Sequence, residues 1–237
     1  MVYEAVCFDL DDTLYPYPAC NEAGKRAALS AFRERGYELD RSAFDDLYAT
    51  ARRDVKRETS GTAASHERFI YFKRALRLHA DVHDAADAHA IGEAYWDGYL
   101  TEMTPYDGVT TTLDAIRDAG VAVGVVTNLT TRVQLRKLAR LGIDDRVDRL
   151  VTSEEVGREK PSALPFTTAL AGFDCRPSEV LMVGDNVVTD VEGGNAVGMD
   201  TVLFDPRGEA PPADELSAGR QPDRRIKSLP ALTEVAT

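Results

Sequence analysis

The feature that most constrains this chain is a recurring pattern of short, apolar, β-branched runs that each end abruptly in polar residues. Val2 to Phe8 runs into Asp9, Val121 to Val126 into Thr127, and Val180 to Val183 into Gly184 and Asp185. Thr201 to Phe204 is a further run of this kind, and a short one lies near Arg149 to Val151. Apolar runs of roughly four to eight residues without alternation read as strands covered on both faces. Between them the spacing becomes helical. Segments from about Thr110 to Ala119, Thr131 to Leu141 and Leu164 to Ala171 end at Gly120, Gly142 and Gly172, and another helix follows Asp190. Strand and helix in alternation predict an α/β fold, a Rossmann-like, doubly wound parallel sheet.

One long stretch departs from this alternation. Tyr15-Pro16-Tyr17-Pro18 is expected to stop regular structure, and from about Ala19 to Leu100 only helical periodicity is visible. Helices are predicted from about Asn21 to Arg35, from Ser42, from near Ser65, and from about Ala85 to Leu100. Their apolar stripes carry Phe44, Tyr48, Phe69, Phe72, Tyr95, Trp96 and Tyr99. The expected organisation is a core of residues 1–15 and 101–237 with an α-helical cap, residues 16–100, inserted between its first strand and the rest. Pro206 to Arg220 reads as a loop, Arg224 to Leu229 as an edge strand and Leu232 to Val235 as a last short helix.

Composition removes several classes. With 237 residues, 43% of them hydrophobic, the chain can bury a sizeable core. Forty acidic against 28 basic residues leave a net charge of -12, the wrong sign for a general nucleic-acid binder. An acidic surface poor in lysine fits solubility at high salt; an arginine-favouring genome produces the same pattern. Three cysteines, Cys7, Cys20 and Cys175, without a CxxC pair speak against a disulfide framework or zinc site. The start MVYEAVCFDLDD has no basic signal-peptide region, and no apolar run is long enough to span a membrane. Neither a membrane nor a nucleic-acid partner is expected, and the cytoplasm is the default location.

The chemistry concentrates at the strand ends. A parallel sheet gathers them on one rim, so Asp9, Asp11, Thr127, Asn128, Asp185 and Asp190 should converge, with Lys160 on a loop leading into a helix. Two carboxylates about 4 Å apart repel by roughly 4 kcal/mol at an effective dielectric near 20. Four such groups need cations. Lys160 supplies one charge, and a hard divalent ion with oxygen ligands, for which Mg²⁺ is the natural candidate, supplies two more. The set suits phosphoryl transfer, with a carboxylate nucleophile, a second acid to protonate the leaving oxygen, and a hydroxyl and lysine to hold phosphoryl oxygens.

The segments FDLDDTLY, VVTN, EKP and GDNVVTD, in this order and on these elements, resemble the four motifs of the haloacid dehalogenase superfamily, in its phosphatase branch. The resemblance implies that Asp9 is the nucleophile and a metal ligand, and that Asp11 is the acid/base with its main-chain carbonyl on the metal. It implies that Thr127 and Asn128 bind the phosphoryl group, that Lys160 stabilises its charge, and that Asp185 and Asp190 hold Mg²⁺. Ser162-Ala163 replaces the usual Asp-Pro after the lysine, with the lysine kept. The insertion matches the small α-helical cap of one subfamily. The implied activity is hydrolysis of a small phosphorylated metabolite through an aspartyl-phosphate.

Competing readings remain open at this point. A dehalogenase of the same superfamily uses neither the second aspartate nor Mg²⁺. A phosphosugar mutase usually has Asp-Gly where this chain has Asp11-Asp12. A non-catalytic interaction protein would have lost the motif residues. Asp12 is expected to support its neighbours or face solvent. His66, His79, His83 and His89 lack metal-site spacing and are expected on the surface or in helix packing. Tyr15 and Tyr17 leave the catalytic loop directly and are candidates for substrate contact.

Overall fold

The computed structural model describes residues 3–236. Val2, expected in the first strand, lies outside them. The chain divides into two compact units, one of residues 1–16 and 104–237 and the other Tyr17–Met103.

The first unit begins with β1 (Ala5–Phe8) and the second follows with four helices, α1 (Tyr17–Glu34), α2 (Arg41–Glu58), α3 (Arg68–Ala80) and α4 (Ala85–Glu102). The chain then returns to the first unit through α5 (Val109–Asp118), β2 (Ala122–Thr127), α6 (Thr131–Leu141), β3 (Arg149–Thr152), the single turn α7 (Ser153–Val156), α8 (Ala163–Phe173), β4 (Val180–Gly184), α9 (Gly193–Val197), β5 (Asp200–Phe204), β6 (Arg224–Ile226) and α10 (Thr233–Ala236).

The six strands form one wholly parallel sheet in the order β3-β2-β1-β4-β5-β6, the predicted Rossmann-like architecture. Ala5 to Phe8 pair with Ala122 to Val125 on one side and Val180 to Val183 on the other. From β1 the chain builds β2 and β3 on one side and then crosses to β4 on the other, so β1 and β4 flank the switch point where ligands bind in such sheets. Every residue of β1 and β4 is buried, which explains why these runs do not alternate. On one face Cys7, Val126, Met182, Phe166 and Leu170 share a core beneath α8.

In the second unit, α1 packs along α4. A side chain at Gly24 would come within 2.8 Å of the Tyr95 ring, so the glycine permits that approach. Phe32 lies at the centre of an aromatic cluster, edge-on to Tyr37, Phe44 and Phe72 with centroids 5.7, 5.6 and 6.3 Å away. Asp40 and Asp84 cap α2 and α4, accepting from the amides of Ala43 and Asp87 at 2.8 Å. Among the described residues no helix is long and apolar enough to cross a membrane.

Several predicted boundaries move. The Tyr-Pro repeat does not stop structure, because α1 starts at Tyr17 and puts Pro18 in its first turn, where no N–H is required. The left-handed turn ending α8 falls at Asp174, with φ 56°, rather than at Gly172, whose carbonyl accepts a hydrogen bond from Arg149 Nη2 at 2.8 Å. The helix expected after Asp190 starts earlier, as a wide π turn over Val187–Glu192 that contains the aspartate. The edge strand is shorter than predicted, and the Pro206–Arg220 loop holds two short 3-10 turns.

Phe32→Ala removes the hub of the aromatic cluster. It should destabilise the protein by about 3–5 kcal/mol, measured by urea unfolding followed through tyrosine and tryptophan fluorescence.

Candidate active site at the carboxyl edge of the sheet

The strand ends deliver their polar residues as the topology requires. Asp9 follows β1, Thr127 ends β2 and Asp185 follows β4. Asp9, Asp185 and Asp190 each offer a carboxylate oxygen, and these oxygens lie within 4.8 Å of one another. Lys160 reaches the same point from the loop before α8. Its Nζ donates to Asp9 Oδ1 at 2.7 Å and to Asp190 Oδ1 at 2.6 Å, with 1% of its side chain exposed.

The π turn aims Asp190. It winds its main chain against the carbonyl of Asn186 and lays the aspartate carboxylate back over the end of β4. Asp190 Oδ2 accepts the Asn186 amide at 3.0 Å. A side chain at Gly184 would stand 2.3 Å from Asp190 Oδ2, so the glycine is the space the carboxylate occupies. Thr13 holds Asp185 at both ends, donating to Oδ1 and accepting from its amide, each at 3.1 Å.

Burial and crowding leave an excess of negative charge. Burial pushes the Asp9 carboxyl up to about 7, Lys160 opposes that, and Asp190 and Asp11 add to it. Burial, then Asp9 and Asp190, raise Asp185 to about 8. Burial disfavours the Lys160 ammonium, but Asp190 and Asp9 outweigh it and hold the group above an ordinary lysine. The cluster is therefore short of positive charge, and its donors are hard oxygens.

Asp11 contributes no carboxylate to this group. Its side chain is held elsewhere, by Lys137 Nζ at 2.6 and 2.9 Å and by the Tyr15 hydroxyl at 2.6 Å. A share of Asp11 in a metal site would fall to its main-chain carbonyl, as the sequence resemblance implies. Asp12 takes a left-handed φ of 66°, which aspartate tolerates, and its carboxylate meets Arg207 Nη2 at 2.9 Å and the Tyr106 hydroxyl at 3.1 Å.

The Thr127 hydroxyl sits at the end of β2, where Gln134 Nε2 donates to it at 2.7 Å. The Asn128 side-chain oxygen accepts the Lys160 amide at 2.9 Å and its Nδ2 donates to the Lys160 carbonyl at 3.3 Å, so this side chain fastens the lysine loop beside Thr127. Leu129 next to it has φ 106°, a conformation costing on the order of 1–3 kcal/mol for a side-chain residue. Ser153 Oγ accepts its amide at 2.8 Å and steadies that turn.

Sequence reasoning missed Thr13, Gln134, Lys137 and Ser153. The readable signal was in α6. Its apolar face of Val133, Leu138 and Leu141 is interrupted by Gln134 and Lys137, both of which turn inward and are buried. Tyr15 is buried with its hydroxyl on Asp11, and the Tyr17 hydroxyl bonds Asn21 and Arg68. No histidine belongs to a three-ligand cluster among the described residues; His89 stacks on Phe69 and His79 meets Tyr37 edge-on.

Residues 3–198 match the family described as haloacid dehalogenase-like hydrolase. The chain belongs to that family. It is 51% identical over 236 residues to ribulose-1,5-bisphosphate 5-phosphatase of Halopiger xanaduensis, covering 98% of this chain and 99% of that one. It is 38% identical to glyceraldehyde 3-phosphate phosphatase of Methanopyrus kandleri, over 84% of this chain and 82% of that one. Membership of the phosphatase branch, inferred above from four motifs, holds: this haloacid dehalogenase-like hydrolase is a phosphoric monoester hydrolase. Its fold also resembles the crystal structure of 2-haloacid dehalogenase from Pseudomonas syringae, with a TM-score of 0.76, 24% identity, and coverage of 99% and 98% of the two chains. The two branches share a scaffold, so the chemistry has to be read from side chains.

Gly184→Ala should displace Asp190 from Lys160 while leaving the sheet folded. The expected result is a loss of phosphatase activity of at least about tenfold, checked by steady-state kinetics, with a far-ultraviolet circular dichroism spectrum like that of the parent.

Proposed function

We propose that this chain is a magnesium-dependent phosphatase of phosphorylated sugars that works through an aspartyl-phosphate on Asp9, with ribulose 1,5-bisphosphate as its substrate. The observation that carries the chemistry is the convergence of Asp9, Asp185 and Asp190 on one point with Lys160 between two of them. The substrate rests on the 51% identity to a ribulose-1,5-bisphosphate 5-phosphatase over nearly the whole of both chains.

The donor set suits Mg²⁺. Three carboxylates offer hard oxygens, and the raised values of Asp9 and Asp185 mark charge that Lys160 does not neutralise. Asp9, Asp185 and Asp190 would hold the ion, which when bound supplies charge neutralisation for the transferring group. The chain's own residues do the rest. An Asp9 carboxylate oxygen forms a bond to phosphorus as the ester P–O bond breaks. Asp11 gives its proton to the departing oxygen, then takes one from the water that attacks phosphorus. The Asp9–phosphorus bond breaks and inorganic phosphate leaves. Lys160 holds Asp9 against recoil and faces the charge on the phosphoryl oxygens, and the Thr127 hydroxyl, fixed by Gln134, binds one of them. The Tyr17–Met103 unit serves as the cap that distinguishes leaving groups.

With Mg²⁺, the protein should release one phosphate from ribulose 1,5-bisphosphate and leave ribulose 1-phosphate, seen by phosphorus NMR. Asp9→Asn should cut this rate by at least about a thousandfold.

Asp9 and Asp185 also set a pH dependence. Both titrate above the ordinary carboxylate value of about 4, so the metal-free fold is favoured while they are protonated and loses that contribution as pH rises through about 7 and about 8. Below those values Mg²⁺ competes with protons. The Mg²⁺ concentration giving half-maximal thermal stabilisation should therefore fall between pH 6 and pH 8 and level off above, as measured by differential scanning fluorimetry.

A further inference from the structure

Lys137 is a buried cation that the reaction described above does not use. It lies on α6 among Val133, Leu138 and Leu141, with 1% of its side chain exposed. Withdrawing an ammonium from water costs several kcal/mol unless it is paired. An aliphatic residue would occupy the position without that cost. The ammonium instead meets both oxygens of Asp11, at 2.6 and 2.9 Å, beneath the Tyr15 ring at 5.8 Å. Tyr15 bonds the same Oδ1 with its hydroxyl at 2.6 Å, so the carboxylate is gripped from α6 and from its own loop.

The grip answers a specific difficulty. Asp11 stands two residues from Asp9, yet among the described residues the convergent carboxylates are those of Asp9, Asp185 and Asp190. A cation attracting those three would attract a fourth carboxylate on the same loop. Once captured there, Asp11 could not exchange a proton with a leaving oxygen. A counter-charge placed on the other side opposes the capture. Asp11 keeps 31% of its side chain exposed while Lys137 is sealed, so the pair leaves the acid accessible and hides the restraint.

We propose that Lys137, aided by Tyr15, is a positioning residue that holds the Asp11 side chain out of the acidic cluster, where Asp11 takes a proton from solvent through its exposed face and passes it to the leaving oxygen. This rests on the assignment of Asp11 as the acid/base. The proposal makes Lys137 matter in proportion to how much the leaving oxygen needs a proton.

The test compares kcat/KM for two aryl esters of similar shape. Phenyl phosphate has a leaving oxygen that needs protonation, whereas the nitro group of p-nitrophenyl phosphate lets the oxygen depart as an anion. Lys137→Met should lose about 10²-fold on phenyl phosphate and at least about ten times less on p-nitrophenyl phosphate. In an Asp11→Asn background the same substitution should cause no further loss on phenyl phosphate, because both act through one proton transfer. Equal losses on the two esters, or losses that add in the double variant, would overturn the proposal and make Lys137 a structural ion-pair partner. If Asp9→Asn is inactive on both esters while Lys137→Met behaves as the parent, the nucleophile assignment stands and only this inference fails. Turnover of p-nitrophenyl phosphate by Lys137→Met reports that the site is folded.

Discussion

Repulsion among carboxylates that a parallel sheet forces together is the constraint on which the rest of this structure depends. The sheet places Asp9 and Asp185 at the ends of paired strands, and the π turn adds Asp190. Such a group is tolerable only with a compensating charge. Lys160 supplies part of it from within hydrogen-bonding distance of two of the three. The fold devotes other residues to keeping that lysine there. Asn128 clasps its main chain from the end of β2, and Gly184 leaves room for the carboxylate it meets.

The site thus uses two buried lysines in different ways. Lys160 sits within the acidic cluster and lowers the cost of its charge. Lys137 sits apart and engages Asp11, which the cluster does not include. Two cations separating four carboxylates into a triad and a single acid give neighbouring aspartates different environments. Distinct roles for groups of the same chemical type depend on that kind of division. The strained backbone at Leu129 lies where Thr127, Asn128 and the lysine loop meet, a place where surrounding contacts can hold an unfavourable conformation.

The scaffold does not decide this chemistry. A 2-haloacid dehalogenase has a closely similar fold, and the relatives with higher identity are phosphatases. What separates the readings is a small set of side chains on one rim, which suits a fold whose strand ends can be varied without disturbing its buried core.

The sequence by itself determined the architecture and most of the site. Short, β-branched apolar runs without alternation read as strands covered on both faces, and parallel strands carry their following residues to a common rim. Asp9, Thr127 and Asp185 were therefore legible from position, Lys160, on a loop before a helix, only from the EKP motif, and the four motifs named the family. Tertiary structure alone decided who holds whom. Nothing local in Asn128 says that its amide grips Lys160, because the partner lies on a distant loop. Nothing in α6 says which acid Lys137 meets, although a lysine on an apolar stripe announces that it must meet one. Helix ends moved for the same reason, as at Gly172, where the contact with Arg149 comes from another strand. Period and polarity are properties of neighbouring residues and can be read along the chain, whereas the pairing of buried charges is fixed only when distant segments compete for the same space.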